Sequence, residues 1–158
     1  MRLYRIVKKQ YEHTSLEDES IGAKKTGGRW NSKDVPIVYA SYNIATAAME
    51  VLVHIDWDLA PELALLAIDV PQESEENSVT IDHDSLPENW DTYPSSRALA
   101  VLGDTWIKSG SSLILKVPSA ASKYEFNALL NPNHPDAKKC TLSVIGTYDF
   151  DGRFKSKS

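Results

Sequence analysis

Residues 43–57 constrain the fold more than any other part of the chain. Their apolar side chains recur at helical spacing and cover nearly the whole circumference of a predicted helix. The exception is a narrow polar stripe made of Asn43, Thr46, Glu50 and His54. Such a helix has to be largely buried in a folded domain, with Ser41 or Asn43 capping its start. Its polar stripe therefore either reaches solvent or faces a functional site.

Weaker patterns around this helix predict a sheet. Residues 2–7 alternate polar and apolar side chains, as a half-buried strand does. Further strands are predicted at residues 35–41, 63–70, 79–82, 111–117 and 141–150, and a second amphipathic helix at 95–109. Polar composition predicts a long loop at residues 8–28, a solvated connector at 73–77 and an irregular segment at 131–135.

The order of these elements predicts the fold class. Strands outnumber helices and do not alternate regularly with them, which favours an α+β fold over a doubly wound sheet. We expect a single mixed domain with a twisted, largely antiparallel sheet flanked by helices. A chain of 158 residues with 42% hydrophobic residues is long and apolar enough for one packed core. The domain is expected to span residues 1–150, followed by a polar, solvated tail at 151–158.

Charge and hydropathy exclude two classes of partner. A net charge of −5 disfavours direct, non-specific binding to nucleic acid, which requires a basic surface. No apolar run approaches the roughly 20 residues that a membrane-spanning helix needs. The first residues lead directly into a strand pattern without an apolar signal core. We therefore expect a cytoplasmic protein without a membrane partner.

The sequence also lacks the signatures of several common sites. Cys140 is the only cysteine, so neither an internal disulfide nor a thiolate-rich metal site is expected. The histidines have no metal-ligand spacing, and each is better explained as a surface or capping residue: His13, His54, His83 and His134. Phosphate-loop, Rossmann and serine nucleophile-elbow motifs are missing as well. No metal site is predicted.

A few polar residues among apolar or rigid neighbours remain as candidates. Two glycines before Arg29 allow close backbone approach, and its planar guanidinium suits a pyrophosphate. A glycine turn with a surface ion pair explains that segment equally well. Glu50 is the one acid in a helical stretch that is otherwise apolar over nearly twelve residues, yet a solvent-facing position is the simpler interpretation. Ser119 at a strand end can bind phosphate or close a turn, and Tyr39 is by default a core aromatic.

Taken in order, these segments resemble the RES family, the toxins of a class of bacterial toxin–antitoxin pairs. Two departures are visible: Asp34 stands where a glycine is common, and Lys123 where a proline is common. Neither residue belongs to the implied chemistry, although Lys123 could alter the shape of the rim. The matching segments are residues 2–6, Gly27-Gly28-Arg29-Trp30-Asn31-Ser32, residues 38–41, residues 49–54, Leu86-Pro87 with Trp90, Gly103-Asp104 with Trp106, residues 117–120, Asn127 and residues 131–135.

The resemblance implies a RES domain at residues 1–150 with a fold like that of ADP-ribosyltransferases. It implies that NAD is the substrate, that no cofactor is required, and that NAD is degraded by hydrolysis or phosphorolysis. Transfer of ADP-ribose to a specific protein is the alternative. Glu50, Arg29 and Tyr39 are the implied catalytic residues. The implied NAD-binding residues are Arg29, Tyr39, Ser119, Gly28, Asn31 and Ser41.

Elementary chemistry assigns roles that fit this site. Cleavage of the nicotinamide–ribose bond passes through an oxocarbenium-like state, as glycoside cleavage does. Glu50 would hold a ribose hydroxyl and stabilise the developing positive charge. Arg29 would grip the pyrophosphate, Ser119 would donate to a phosphate oxygen, and Tyr39 would stack on or border the nicotinamide.

The resemblance also implies a partner. In this family it is a helix-turn-helix (Xre-like) antitoxin, so DNA would be met only through that protein. The sequence leaves open whether a homodimer forms within the complex. It also leaves open a non-catalytic module that binds NAD without turning it over. A nuclease is disfavoured by the acidic charge and by the lack of a histidine pair.

Overall fold

The computed structural model is an α+β domain that describes residues 1–13, 15–59 and 61–157. A seven-stranded sheet runs in the order β4-β5-β6-β2-β1-β3-β7. All neighbouring strands are antiparallel except β4 and β5, which are parallel. The predicted α+β class and the largely antiparallel sheet are confirmed. The strands are β1 (Arg2–Lys8), β2 (Val38–Ser41), β3 (Leu63–Asp69), β4 (Val79–Thr80), β5 (Ile114–Pro118), β6 (Phe126–Leu130) and β7 (Thr141–Tyr148).

Within the described residues, five α-helices accompany the sheet: α1 (Leu16–Glu19), α2 (Ile21–Thr26), α3 (Ile44–Leu52), α4 (Gln72–Glu76) and α5 (Arg97–Ser109). Short 3-10 helices lie at Lys9–Tyr11, His83–Ser85, Pro135–Lys139 and Gly152–Lys157. No helix within the described parts of the chain is long and apolar enough to cross a bilayer.

The strongly patterned helix α3 is shorter than predicted. The Asn43 side chain caps it by accepting from the Thr46 amide at 2.8 Å, as the sequence predicts. The helix ends at Leu52 instead of continuing to residue 57. Trp57 packs instead on the Phe150 ring, with ring centroids 5.5 Å apart. The contact with the C-terminal part of the chain therefore replaces the last helical turn.

The prediction of one long loop at residues 8–28 is wrong. This segment contains a 3-10 helix and the short helices α1 and α2, with Ser15 capping α1. Helices of four and six residues are too short to display a hydrophobic period. Their placement depends instead on tertiary contacts, above all a buried ion pair between Glu19 of α1 and Arg5 of β1, 2.7 Å apart.

Other boundaries also differ from the sequence prediction. The solvated connector at 73–77 is in fact α4, the predicted irregular segment at 131–135 runs into a 3-10 helix, and β6 has no predicted counterpart. The expected polar tail at 151–158 forms a 3-10 helix through Lys157, with the Phe154 ring 6.1 Å from the Phe150 ring. Ser158 lies outside the described residues.

Candidate active site

A cleft of about 1050 Å³ opens where β1, β2 and α3 meet the loops after α2 and around residues 91–95. This volume suits a ligand of dinucleotide size. Helix α3 packs on β1 and β2, and of its predicted polar stripe only Glu50 and His54 line the cleft. Thr46 is buried, and Asn43 caps the helix. The polar and aromatic side chains of the lining are Tyr4, Arg5, Arg29, Trp30, Tyr39, Ser41, Glu50, His54, Asp91, Tyr93, Ser95 and Asn127.

Glu50 is held in this cleft through one of its two carboxylate oxygens. Its Oε1 accepts from the Ser119 hydroxyl at 2.6 Å and from the Asn127 amide at 2.5 Å. Among the described residues, no donor reaches Oε2. The carboxylate is therefore fixed in orientation while one oxygen stays available to a ligand.

The two donors to Glu50 are themselves oriented. Ser119 is fully buried (0% exposed), and its oxygen accepts from the Ser122 amide at 3.0 Å, so its proton points to Glu50. Ser41 pairs with Asn127 in the β2–β6 register. Its hydroxyl donates to Asn127 Oδ1 at 2.7 Å, which turns the NH₂ group of that amide toward Glu50. The sequence prediction did not assign this role to Asn127.

Tyr39 is fixed by the tight turn that carries Arg29. Its hydroxyl donates to Asn31 Oδ1 at 2.7 Å and accepts from the Trp30 amide at 3.0 Å. Burial raises the pKa of Tyr39 well above its usual value, so the hydroxyl stays protonated and can act as donor and acceptor together. A side chain at Gly28 would place its Cβ 2.7 Å from the Tyr39 hydroxyl oxygen. This close approach explains why position 28 is occupied by glycine, which has no Cβ.

We expect Tyr39→Phe to destabilise the protein even though the ring remains. The substitution leaves the Trp30 amide and Asn31 Oδ1, both partly or fully buried, without their shared partner. The free energy of unfolding should fall by about 2 kcal/mol. Urea denaturation measures this, with Tyr124→Phe as the control because Tyr124 is 98% exposed. Equal midpoints for the two variants would contradict the role assigned to the hydroxyl.

Arg29 presents its charge to the cleft without a carboxylate partner. Its Nη1 donates to the carbonyls of Trp90 at 2.7 Å and Thr92 at 3.0 Å. Within the described residues, no carboxylate oxygen lies within 4.0 Å of its guanidinium. The nearby Asp91 is instead paired with Lys123, which lowers the pKa of that carboxyl. The guanidinium can therefore meet an anion in the cleft.

Arg5 is a further cation of the cleft that the sequence prediction did not include. Its Nη1 donates to the Tyr39 carbonyl at 2.7 Å, and its Nε is paired with buried Glu19. The pair ties the segment before Arg29 to the strands under the cleft. Two signals were available: Arg5 occupies a polar position in an alternating strand, which predicts solvent exposure as readily as a site, and it lies in the family-like segment 2–6.

The structure brings most of the predicted site residues together. Gly28, Arg29, Tyr39, Ser41 and Glu50 all line the cleft. Asn31 and Ser119 lie buried behind this lining.

These two residues contact the lining residues rather than the open space. The Asn31 amide donates to the carbonyls of Ala23, Ser32 and Val35, whereas the Ser119 hydroxyl donates to Glu50. As placed, both residues support the site, and direct contact of either with NAD stays a prediction. Within the described residues, no group of three or more histidine, cysteine or acidic side chains could hold a metal ion.

Several known proteins are similar to this chain over most of its length. The chain is 38% identical to "Toxin Res" of Photorhabdus laumondii over 152 residues, covering 95% of this chain and 93% of that protein. It is 37% identical to "Prs ADP-ribosylating toxin" of Sphingobium sp. over 138 residues, covering 87% and 86%. "Toxin Res" of Yersinia enterocolitica is 35% identical over 157 residues, covering 98% and 100%.

A solved structure and a family model extend the comparison. The crystal structure of the Mycobacterium tuberculosis MbcT–MbcA toxin–antitoxin complex contains a chain with the same fold, with a TM-score of 0.65 and 18% identity. The match covers 99% of this chain and 87% of that one. The model of the RES domain matches residues 2–154, nearly the entire sequence. On the strength of that match and of the curated relatives, this chain belongs to the RES domain family.

Proposed function

We propose that this protein is the toxin of a toxin–antitoxin pair and that it cleaves the nicotinamide–ribose bond of NAD. One observation carries the proposal. Glu50 Oε1 is anchored by Ser119 and Asn127, and among the described residues no donor reaches Oε2 in a cleft that also holds Arg29, which makes no ion pair there. A fixed carboxylate beside an anion-binding cation is the arrangement that this reaction requires.

The chemistry follows from the free oxygen. Glu50 Oε2 accepts a hydrogen bond from a ribose hydroxyl and stabilises the positive charge that develops as the bond to nicotinamide breaks. Nicotinamide leaves as a neutral molecule, so no second carboxylate is needed as a general acid. Because Ser119 and Asn127 orient the carboxylate before the substrate arrives, little reorganisation is required in the transition state.

The remaining side chains position the dinucleotide. Arg29 pairs with the pyrophosphate, and the Tyr39 ring borders the nicotinamide end of the cleft. Ser119 supports the carboxylate in this mechanism, since its hydroxyl donates to Glu50 and accepts from the Ser122 amide. NAD is the substrate, and this mechanism requires no cofactor.

Incubation of the purified protein, free of any partner, with NAD tests the proposal. Released nicotinamide is followed with and without added phosphate. Release that depends on phosphate would identify phosphorolysis, and release without phosphate would identify hydrolysis. No release in either buffer from folded protein would contradict cleavage of free NAD; bound NAD would then indicate a dedicated protein acceptor or a module without turnover.

A second candidate is transfer of ADP-ribose to a protein. The Sphingobium relative, named as a Prs ADP-ribosylating toxin, supports it at 37% identity. The same cleft would activate the same bond, and only the acceptor would differ. Mass spectrometry of proteins from a host expressing this chain distinguishes the two. A mass increase of one ADP-ribose on a specific protein, absent with Glu50→Gln, would favour transfer.

The proposed partner is a helix-turn-helix antitoxin, through which alone this acidic protein would meet DNA. The MbcT–MbcA structure supports a toxin–antitoxin assembly, since its matched chain shares the fold of almost this entire chain. Expression of this chain alone is expected to arrest growth, and co-expression with a cognate antitoxin is expected to restore it. Growth that is unaffected by the wild-type chain and by Glu50→Gln alike would argue against toxicity.

A further inference from the structure

We propose that Tyr93, with His54 packed against it, forms an aromatic platform on which the nicotinamide ring stacks at the mouth of the cleft, an inference that rests on the proposed function. Both side chains line the cleft, with ring centroids 6.4 Å apart and ring planes at 60°. Tyr93 is 83% exposed. A large ring that faces water at the mouth of a ligand-sized cleft gains contact area when a flat ligand covers it.

The segment that carries Tyr93 is held in place by three contacts. Arg29 Nη1 donates to the carbonyls of Trp90 and Thr92, which flank Asp91. Lys123 Nζ pairs with the Asp91 carboxylate at 2.6 Å. The departure from the family pattern at Lys123 therefore supplies a tie across the rim. Because the backbone before Tyr93 is fixed by these contacts, stacking on its ring costs little ordering of the loop.

The position of His54 selects the nicotinamide ring over the adenine. His54 follows Glu50 by four residues and lies in the turn after α3, where its amide donates to the Val51 carbonyl at 3.0 Å. The side chains of Glu50 and His54 both line the cleft. Nicotinamide is joined directly to the ribose that Glu50 holds. Adenine is separated from that ribose by the pyrophosphate and a second ribose.

Calorimetric titration of Glu50→Gln protein, which should not consume its ligand, tests the aromatic platform. NAD, nicotinamide mononucleotide and ADP-ribose are titrated into this parent and into the same protein with Tyr93→Ala, Tyr93→Phe or Tyr124→Ala added. Tyr93→Ala should weaken binding of NAD and the mononucleotide about tenfold. Binding of ADP-ribose, which lacks nicotinamide, should not change. Tyr93→Phe keeps the ring, and Tyr124→Ala alters an exposed tyrosine outside the cleft lining, so both should match the parent.

The outcomes separate the aromatic platform from the proposed function. If the wild-type protein releases nicotinamide but Tyr93→Ala leaves binding of the mononucleotide unchanged, the platform is wrong and the activity stands. A loss of NAD and ADP-ribose binding that spares the mononucleotide would place the adenine ring there and overturn the assignment. If the wild-type protein neither cleaves nor binds NAD, the proposed function fails and the platform fails with it. Retained ADP-ribose binding by Tyr93→Ala shows that the variant is folded.

Discussion

Glu50→Gln is expected to reduce nicotinamide release from NAD by about a thousandfold while leaving the fold intact. The amide is nearly the same size as the carboxylate but carries no negative charge. It can still accept from Ser119, whereas the charge that stabilises the oxocarbenium-like state is lost. Single-turnover measurement of nicotinamide release at saturating NAD isolates this effect from binding.

Glu62→Gln is the matched control for that measurement. Glu62 is an exposed glutamate paired with Lys9 at 3.0 Å, and it does not line the cleft. Loss of this surface ion pair should leave both the rate and the stability nearly unchanged. Undiminished nicotinamide release by folded Glu50→Gln protein would remove Glu50 from the mechanism. A similar loss in both variants would point to a general effect of charge instead of a site.

Gly103→Ala is expected to be the most damaging small substitution for stability. A Cβ at position 103 would lie 1.8 Å from the Trp30 carbonyl oxygen, a backbone atom that a side-chain rotation cannot move. Helix α5 would have to retreat from the segment that follows Arg29. We expect a loss of about 3 kcal/mol in the free energy of unfolding, with weaker NAD binding because Arg29 precedes the displaced residue.

Gly22→Ala separates steric conflict from the general effect of replacing a helical glycine. Gly22 lies in α2, and a Cβ there meets nothing within 4 Å. Alanine favours a helix over glycine by about 1 kcal/mol, so this variant should be unchanged or slightly more stable. Thermal unfolding followed by circular dichroism compares the two variants. A melting temperature for Gly103→Ala equal to that of the wild type would show that the contact with Trp30 can relax.

Elements with a long periodic pattern of apolar residues could be predicted from the sequence, whereas short elements without such a pattern could not. The alternation at the start of the chain predicts β1 within one residue, and the amphipathic pattern predicts α5 within two. Strand β6 was missed because its five residues show no alternation and are buried through pairing with β5 and β2. Asp34 has a φ of 72°, a backbone conformation that glycine adopts readily, which explains why glycine is common at that position.

Some residues of the candidate site could likewise be predicted from the sequence, and others could not. Arg29, Tyr39 and Glu50 could be predicted to act together from the ordered family resemblance, and the cleft does contain all three. The functions of Asn127 and Arg5 depend on which residues face each other across the sheet. Strand register is decided by tertiary packing, which no local pattern in this sequence reveals. For the same reason, the sequence could not predict that the Ser119 hydroxyl donates to Glu50, a contact that only the folded structure reveals.

The hydrogen bonds that anchor Glu50 determine when, during synthesis of the polypeptide, the site can form. Ser41 and Asn127 are separated by 86 residues in the chain, and their contact orients the amide that anchors the glutamate. A ribosome delivers α3 long before β6, and such distant strand pairing is slow compared with local contacts. Under the proposed activity, the nascent polypeptide is harmless until β6 has been synthesised. An antitoxin translated in that interval would already be present when the site first assembles.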